Sequence, residues 1–156
     1  MAIKYDLTIV GGGPGGYVAA IKAAQVGMKV ALFEEDKLGG VCLNWGCIPT
    51  KSLLHSAEFM EEANHFGLDK KDLTKIALDK VVEMSRIASD NLSKGVNALM
   101  KKNKIDIYKQ RAYPKKIDNK FTVKTSSDEI ISKNMIIDTG CKQRTIGDKN
   151  FSNLVW

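Results

Sequence analysis

The spacing of apolar positions predicts a strand, a helix and a second strand within the first 34 residues. The run 5–10 is apolar enough for a short buried strand. Residues 17–26 carry four alanines at helical spacing, and Gly27 is a natural helix end. Residues 29–34 form the second apolar run. A strand–helix–strand unit of this kind predicts parallel, buried strands.

Two longer helical patterns and several short strands follow. The first helix is predicted from about 49 to 63, and the second from a cap at Asp72 to about 102, with Gly95 as a candidate bend. Strands are then predicted at 105–108, on both sides of an Asp118-Asn119 turn, at 130–131 and at 135–137. The fold class is therefore α/β: a parallel sheet with a βαβ start, long helices and a small antiparallel β-meander.

Composition is that of one soluble globular domain. The 156 residues are 44% hydrophobic and 27% charged, and no apolar run approaches the roughly 20 residues that span a bilayer. The N-terminus lacks the apolar region of a signal peptide, so a cytoplasmic protein without membrane attachment is expected. The net charge is +6, but the lysines are scattered and no aromatic ladder accompanies them. Nucleic-acid binding is therefore not expected.

A glycine-rich loop separates the first strand from the first helix. Gly11, Gly13 and Gly16 have the GxGxxG spacing of dinucleotide-binding loops. One glycine permits the tight turn, one lets backbone approach a pyrophosphate, and one lets helix and strand pack closely. Pro14 suits the first helical turn, where its missing N–H is not needed.

An acidic residue ends the second strand at the distance expected for a ribose acceptor. Glu34 lies 18 residues after Gly16 and directly follows the apolar run. Glu35 and Asp36 are rivals for this role. Glu34 is preferred because it ends the strand itself.

The three cysteines are Cys42, Cys47 and Cys141. An odd count with one close pair is not typical of a secreted disulfide framework. No metal site is expected, because the only histidines are His55 and His65 and no second cysteine pair completes a zinc site. The close pair is therefore a candidate for redox chemistry.

Helical geometry constrains how Cys42 and Cys47 can bond. Residues five apart on a regular helix have Cα atoms roughly 8–9 Å apart, whereas a disulfide needs less than about 7 Å. A bridge between them therefore requires a non-helical backbone, for which Gly46 supplies freedom. Pro49 then opens or kinks the following helix. A cysteine near a helix N-terminus is readily a thiolate, and Lys51 adds positive charge nearby.

These motifs together resemble the pyridine nucleotide–disulfide oxidoreductases. The resemblance rests on Gly11 to Gly16, on Glu34 and on the stretch LGGVCLNWGCIPTKSLL at 38–54, with a weaker match at 136–140. The segment CLNWGCIPTK is most similar to the dihydrolipoamide dehydrogenase branch. Glutathione reductases and mercuric reductases carry similar segments with different flanking residues.

The resemblance implies a Rossmann-like FAD-binding segment with assigned site residues. Cys42 would exchange with the dithiol substrate, Cys47 would lie against the flavin, and Lys51 would sit near the reactive edge of the isoalloxazine. The implied FAD-contacting positions are Gly11, Gly13, Pro14, Gly15, Gly16, Glu34, Glu35, Gly40, Val41, Cys42, Cys47, Lys51, Ala112, Thr139 and Gly140. Three positions depart from the family pattern: Asp138 stands where alanine is usual, Cys141 where serine is common, and Gln110 where glycine is usual.

Members of that family are much longer than this chain. They add an NAD domain, the rest of the FAD domain and a dimerisation domain that carries a catalytic histidine and glutamate. The expectation is therefore that residues 1–156 are an incomplete N-terminal FAD-binding segment without turnover alone. The full-length enzyme would oxidise protein-bound dihydrolipoamide through Cys42–Cys47 and FAD to NAD+. It would be a homodimer whose partner is the lipoyl domain of 2-oxo acid dehydrogenase complexes.

Two other classes of function stay open at this point. One is a standalone flavin-binding module that works with another chain. The other is a basic interaction protein in which the Rossmann-like unit is incidental.

Overall fold

The computed structural model describes residues 2–69, 77–125 and 128–141, which contain six strands and four helices. The strands are β1 (Ala2–Val10), β2 (Val30–Phe33), β3 (Asp106–Tyr108), β4 (Pro114–Ile117), β5 (Lys120–Lys124) and β6 (Glu129–Ile137). The helices are α1 (Pro14–Gln25), α2 (Gly40–Asn44), α3 (Cys47–His65) and α4 (Leu78–Lys102). Within these ranges, no helix is both long and apolar enough to cross a membrane.

The strands form one sheet in the order β3-β2-β1-β6-β5-β4. Strands β3, β2, β1 and β6 pair in parallel, whereas β5 and β4 are antiparallel additions beyond β6. The carboxyl ends of the four parallel strands therefore meet at one edge. Strand β1 has β2, the next strand in the sequence, on one side and β6, the last strand, on the other. The carboxyl end of β1 is therefore a topological switch point of the sheet. Ligands of open α/β sheets bind at such points.

The predicted βαβ unit is confirmed, with small shifts at its ends. Strand β1 begins at Ala2, three residues before the apolar run, because it pairs with β6 along its whole length. Helix α1 begins at Pro14, where the fixed φ of proline suits a first turn. Ala20 and Ala23 of α1 are buried, so the helix lies close on the sheet. The main core contains Leu7, Ile9, Ala20, Ala23, Val30, Leu32, Leu38, Leu43, Val96, Met100 and Ile105.

The buried face of helix α4 combines two apolar residues, Val96 and Met100, with two serines. Met84, Ile87 and Leu92 are exposed, although their spacing suggests a core face. Ser85 and Ser89 are buried instead, and their hydroxyls donate to carbonyls of the same helix, those of Val82 (2.6 Å) and Ser85 (3.1 Å). These hydrogen bonds satisfy the buried serine hydroxyls and so offset the cost of burying them. The predicted cap at Asp72 lies outside the described residues.

Helix α4 continues through Gly95 from Leu78 to Lys102. A Cβ added to Gly95 would meet no heavy atom within 4 Å, and the residue is exposed. Gly95→Ala should therefore raise the free energy of unfolding by roughly 0.5–1 kcal/mol, since glycine loses more backbone entropy in a helix than alanine. Urea unfolding measures the change. An unaltered or lower stability would contradict helical backbone at this position.

Strand β6 is one strand of nine residues, so the prediction of two short strands was wrong. The polar residues Ser132 and Asn134 read as a break in the sequence, but pairing with β1 from Ala2↔Glu129 to Val10↔Ile137 holds them in the ladder. The hairpin of β4 and β5 is confirmed, with its turn at Asp118, which has a φ of 51°. The meander is continuous with the parallel sheet because β6 belongs to both.

Tyr5 ties β1 to the edge strand β3 across β2. Its hydroxyl lies 2.8 Å from Oδ2 of Asp106 and 2.9 Å from the hydroxyl of Tyr108. The ring of Tyr108 stacks on Phe33 with centroids 4.8 Å apart. Burial first, and then the hydrogen bonds with Tyr108 and Asp106, raise the pKa of Tyr5 far above its ordinary range. This hydroxyl therefore stays protonated and serves the fold.

An exposed ion pair joins β1 to β6. Nζ of Lys133 lies 2.8 Å from Oδ1 of Asp6, and this hydrogen bond, followed by the one from the Lys29 amide, lowers the pKa of Asp6. Lys133→Met should therefore reduce stability near neutral pH. Ionised Asp6 stabilises the fold above its ordinary pKa of 3.8, and that contribution is lost as the pH falls through the lowered value.

Urea unfolding of the wild type and Lys133→Met between pH 2 and 7 checks this expectation. The difference should be small because the pair is exposed. It should vanish at the acid end and shrink in high salt. A difference that is the same at all pH values would show that Lys133 acts through packing.

Candidate redox and dinucleotide site

The glycine loop leaves the sheet at the end of β1. The Gly11 amide donates to the Phe33 carbonyl at 2.8 Å, and Gly11 has a φ of 111°. A Cβ at Gly11 would also overlap the carbonyl oxygen of Asp138. Only glycine meets both demands, so the sharp exit from β1 depends on this residue.

The N-terminus of α1 is open beyond this loop. The cap residue Gly13 provides no side-chain hydrogen bond, and the first turn contains no acidic residue. Gly15 and Gly16 stand where backbone amides have no acceptor within the helix. A Cβ at Gly13 would meet nothing within 4 Å. The first turn therefore presents unpaired N–H groups and partial positive charge beside the open side of Gly13, an arrangement that suits a diphosphate.

The carboxylate of Glu34 is turned toward the glycine loop. Its Oε2 accepts a hydrogen bond from the Gly12 amide at 2.7 Å, and its Oε1 accepts one from the Asp36 amide at 2.8 Å. Glu35 is exposed, with its Oε2 3.9 Å from Nε of Arg111. Of the two glutamates, Glu34 alone contacts the glycine loop.

Three further predicted cofactor positions lie beyond the ends of β3 and β6. Ala112 follows β3 and is half-buried against a second core cluster that includes Phe33. Thr139 and Gly140 follow β6 and are exposed, and Gly140 has a φ of 67°. Asp138 connects them to the loop, since its amide donates to the Val10 carbonyl at 2.8 Å. Segments after all four parallel strands thus face the same edge of the sheet.

Cys42 and Cys47 form a disulfide in which the Cα atoms are 4.6 Å apart. Helix α2 ends at Asn44 and α3 begins at Cys47, so the helical backbone is interrupted at Trp45 and Gly46 between the cysteines, as expected. Gly46 is packed tightly here: a Cβ on it would lie 3.0 Å from the Val41 carbonyl oxygen. Helix α3 starts two residues earlier than predicted and holds Pro49 in its first turn, where proline is tolerated.

The disulfide segment is fastened to the glycine loop. The Gly39 amide donates to the Gly12 carbonyl at 2.8 Å. Gly40 approaches so closely that a Cβ on it would lie 2.8 Å from Cα of Gly13. Val41, the next predicted cofactor position, is exposed. The glycine loop and the disulfide segment therefore lie side by side and form one candidate site.

The disulfide segment is also held by hydrogen bonds from side chains that were not predicted from the sequence. Asn44 is only 5% exposed, and its Nδ2 donates to the carbonyls of Leu38 (3.2 Å) and Gly40 (2.9 Å). From α4, Arg86 donates to the Asn44 carbonyl at 3.3 Å and Ser93 donates to that of Leu38 at 3.0 Å. A polar residue between the cysteines was a signal for Asn44. Nothing near the motif pointed to α4.

The start of α3 sets the electrostatics of the sulfurs. Cys47 is the first residue of the helix, with neither a side-chain cap nor an acidic residue in the first turn. Free N–H groups at such a position stabilise a thiolate. Lys51 is exposed one turn further on, at the i+4 position that shares a face with Cys47. Cys47 is exposed, whereas Cys42 is half-buried against the main core.

The third cysteine, Cys141, is exposed and free. In the part of the chain that the structure describes, no group of three or more His, Cys, Asp or Glu side chains is arranged to hold a metal ion.

The sequence profile of the pyridine nucleotide–disulphide oxidoreductases matches residues 5–154. The chain belongs to this family. Its members with similar sequences include the dihydrolipoyl dehydrogenase of Rhizobium etli, 43% identical over all of this chain and 37% of its own length. The dihydrolipoyl dehydrogenase of Bacillus subtilis is 51% identical over 69% of this chain and 23% of its own length.

A solved structure supports the family's fold for this chain. It is a Cu(II) complex of RclA, an HOCl-induced flavoprotein disulfide reductase from Escherichia coli, with a TM-score of 0.71 and 24% identity. The match covers 93% of this chain and 30% of that one. The Rossmann-like α/β fold expected from the sequence is thus confirmed. The chain spans less than two fifths of the length of these relatives.

Proposed function

We infer that the chain provides the FAD-binding and disulfide portion of a dihydrolipoyl dehydrogenase. The observation that carries this proposal is the Cys42–Cys47 disulfide fastened against a dinucleotide loop. A disulfide used only for stability needs no such neighbour. The similar proteins of Rhizobium etli and Bacillus subtilis are named dihydrolipoyl dehydrogenase. Their names favour a dihydrolipoyl substrate over the substrates of glutathione and mercuric reductases.

The residues present fit FAD. The open space at Gly13 and the free amides of the first turn of α1 would hold the diphosphate. Glu34 would accept the hydrogen bond of a ribose hydroxyl. Further contacts would come from the following positions: Gly11, Pro14, Gly16, Glu35, Gly40, Val41, Ala112, Thr139 and Gly140. When bound, the cofactor supplies two-electron transfer between the cysteine pair and NAD+.

The thiol exchange proceeds on the two sulfurs of this chain. A substrate thiolate attacks Sγ of Cys42, which breaks the Cys42–Cys47 bond and leaves Cys47 as a thiolate. The second substrate thiol, once deprotonated, attacks the substrate sulfur of the mixed disulfide. The bond to Cys42 breaks, and Cys42 leaves as a thiolate that can take up the proton. The substrate leaves as a cyclic disulfide, two electrons poorer, and the cysteine pair holds those electrons.

The position of Cys47 supports its role as the resting thiolate beside the cofactor. The N-terminus of α3 stabilises negative charge on its sulfur, and Lys51 adds a positive charge on the same helix face. Asn44, Arg86 and Ser93 keep the segment in place while the bond opens and closes. They are positioning residues, since none of them bonds to a sulfur.

The proposal extends to the protein that carries the substrate, the oligomeric state and the cellular location of the enzyme. The substrate is the dihydrolipoyl group on a lipoyl domain of a 2-oxo acid dehydrogenase complex, and the working form is a cytoplasmic homodimer. The NAD domain, the remainder of the FAD domain and the dimerisation domain lie outside residues 1–156. These residues alone are therefore expected to show no lipoamide turnover.

The test uses the complete natural polypeptide. Purified protein should carry flavin absorbance and should reduce NAD+ with dihydrolipoamide, whereas glutathione disulfide and Hg(II) should not drive NADPH oxidation. Efficient turnover of either alternative substrate without lipoamide activity would transfer the protein to a different branch. A colourless protein that takes up no FAD would refute the flavin site itself.

A further inference from the structure

The carboxylate of Asp138 lies against the first turn of α1. The backbone of Asp138 is anchored to β1 through its amide, which donates to the Val10 carbonyl at 2.8 Å. A Cβ added to Gly15 would lie 2.5 Å from Oδ2 of Asp138 and 3.3 Å from Oδ1. The half-buried side chain therefore covers Gly15, at the end of the helix that faces the expected diphosphate.

No described residue donates a hydrogen bond to the Asp138 carboxylate or forms an ion pair with it. The first turn of α1 has no acidic residue of its own and no side-chain cap. Glu34 also borders the loop, but its two oxygens accept from the amides of Gly12 and Asp36. Asp138 is thus the nearby carboxylate whose charge is left to interact with the helix end.

We propose that Asp138 is a built-in anion for the N-terminus of α1, which stabilises the cofactor-free protein and weakens binding of the diphosphate of a dinucleotide. The inference rests on the proposed function for the identity of the ligand. A carboxylate and a diphosphate at one helix end share the same partial positive charge and repel each other. Loss of the carboxylate therefore lowers the stability of the cofactor-free protein and raises its affinity for the dinucleotide.

The test compares wild type with Asp138→Asn in the complete polypeptide after removal of flavin. The amide has nearly the same shape but no charge. The Kd for FAD, from the quenching of flavin fluorescence, should fall on the order of tenfold. The ratio should approach one in high salt, because screening weakens the repulsion. The Tm of the cofactor-free variant should be lower than that of wild type.

Asp118→Asn is the matched control. It makes the same charge change at an exposed turn between β4 and β5, three strands from β1 in the sheet order, and Asn tolerates the positive φ there. It should leave both the FAD affinity and the Tm unchanged. If Asp138→Asn fails to fold, Asp138→Ala, the residue usual in the family, takes its place.

A second probe tests the role of Asp138 without relying on FAD as the ligand. Inorganic pyrophosphate should raise the Tm of cofactor-free Asp138→Asn more than that of wild type. An equal or smaller rise, or an equal or weaker affinity for FAD, would overturn the role of Asp138. If neither protein binds FAD, the proposed function fails, and the pyrophosphate comparison alone decides whether Asp138 guards the helix end.

Discussion

Replacing Cys42 by serine should abolish dihydrolipoamide oxidation while leaving flavin bound. The substrate thiolate then has no disulfide sulfur to attack, so kcat should fall by about a thousandfold or more. Flavin content should not change, since the glycine loop and Glu34 are untouched. Steady-state assays and the visible spectrum of the complete polypeptide give the two readings. Cys141→Ser is the control, because Cys141 is free and exposed and lies outside the pair.

Cys47→Ser separates the roles of the two sulfurs. It should also stop turnover, but it should additionally remove the long-wavelength absorbance that a thiolate produces beside an oxidised flavin. Cys42→Ser should retain that absorbance. Finding it intact in the Cys47 variant and lost in the Cys42 variant would exchange the assigned roles. Flavin reduced by dithiol in the double variant would refute electron transfer through the pair.

Two glycines of the same loop should respond to alanine in different ways. A Cβ at Gly16 would overlap the Gly11 carbonyl oxygen, which is backbone and cannot move without disturbing β1. Gly16→Ala should therefore lower the free energy of unfolding by roughly 2–3 kcal/mol. A Cβ at Gly13 would enter open space, so Gly13→Ala should lower the free energy of unfolding by less than about 1 kcal/mol, the difference between glycine and alanine at a helix cap.

The affinity for FAD gives a second test of the role of Gly13. The methyl group of Gly13→Ala would occupy the space proposed for the diphosphate, so the affinity for FAD should drop even though the fold is intact. Urea unfolding of the cofactor-free proteins and flavin titration give the two quantities independently. Normal FAD affinity in Gly13→Ala would place the diphosphate elsewhere. Normal stability in Gly16→Ala would contradict the close contact of α1 with β1.

The parts of the site that could be predicted from sequence are those set by local chain geometry. The exit at Gly11, the turn of Glu34 toward the loop and the break between Cys42 and Cys47 follow from neighbouring residues. A tight turn, a strand end and a disulfide each impose a short-range requirement on the backbone.

The parts that could not be predicted depend on contacts between distant segments. Ser132 and Asn134 look like a gap between strands until β1 is seen to pair across them. The burial of Ser85 and Ser89 and the support from Arg86 depend on how α4 lies behind the cysteine segment. No spacing rule links Arg86 to Asn44, which are 42 positions apart.

The pairing of β1 with β6 has a consequence for synthesis on the ribosome. The register pairs Ala2 with Glu129, which is synthesised 127 residues later. One edge of β1 therefore has no partner strand until that part of the chain has been made. Contacts of such long sequence separation form slowly, and an unpaired strand edge invites association with other chains. The nascent chain therefore passes through a stage in which its first strand is translated but only half paired, and chaperone capture is expected to act in that interval.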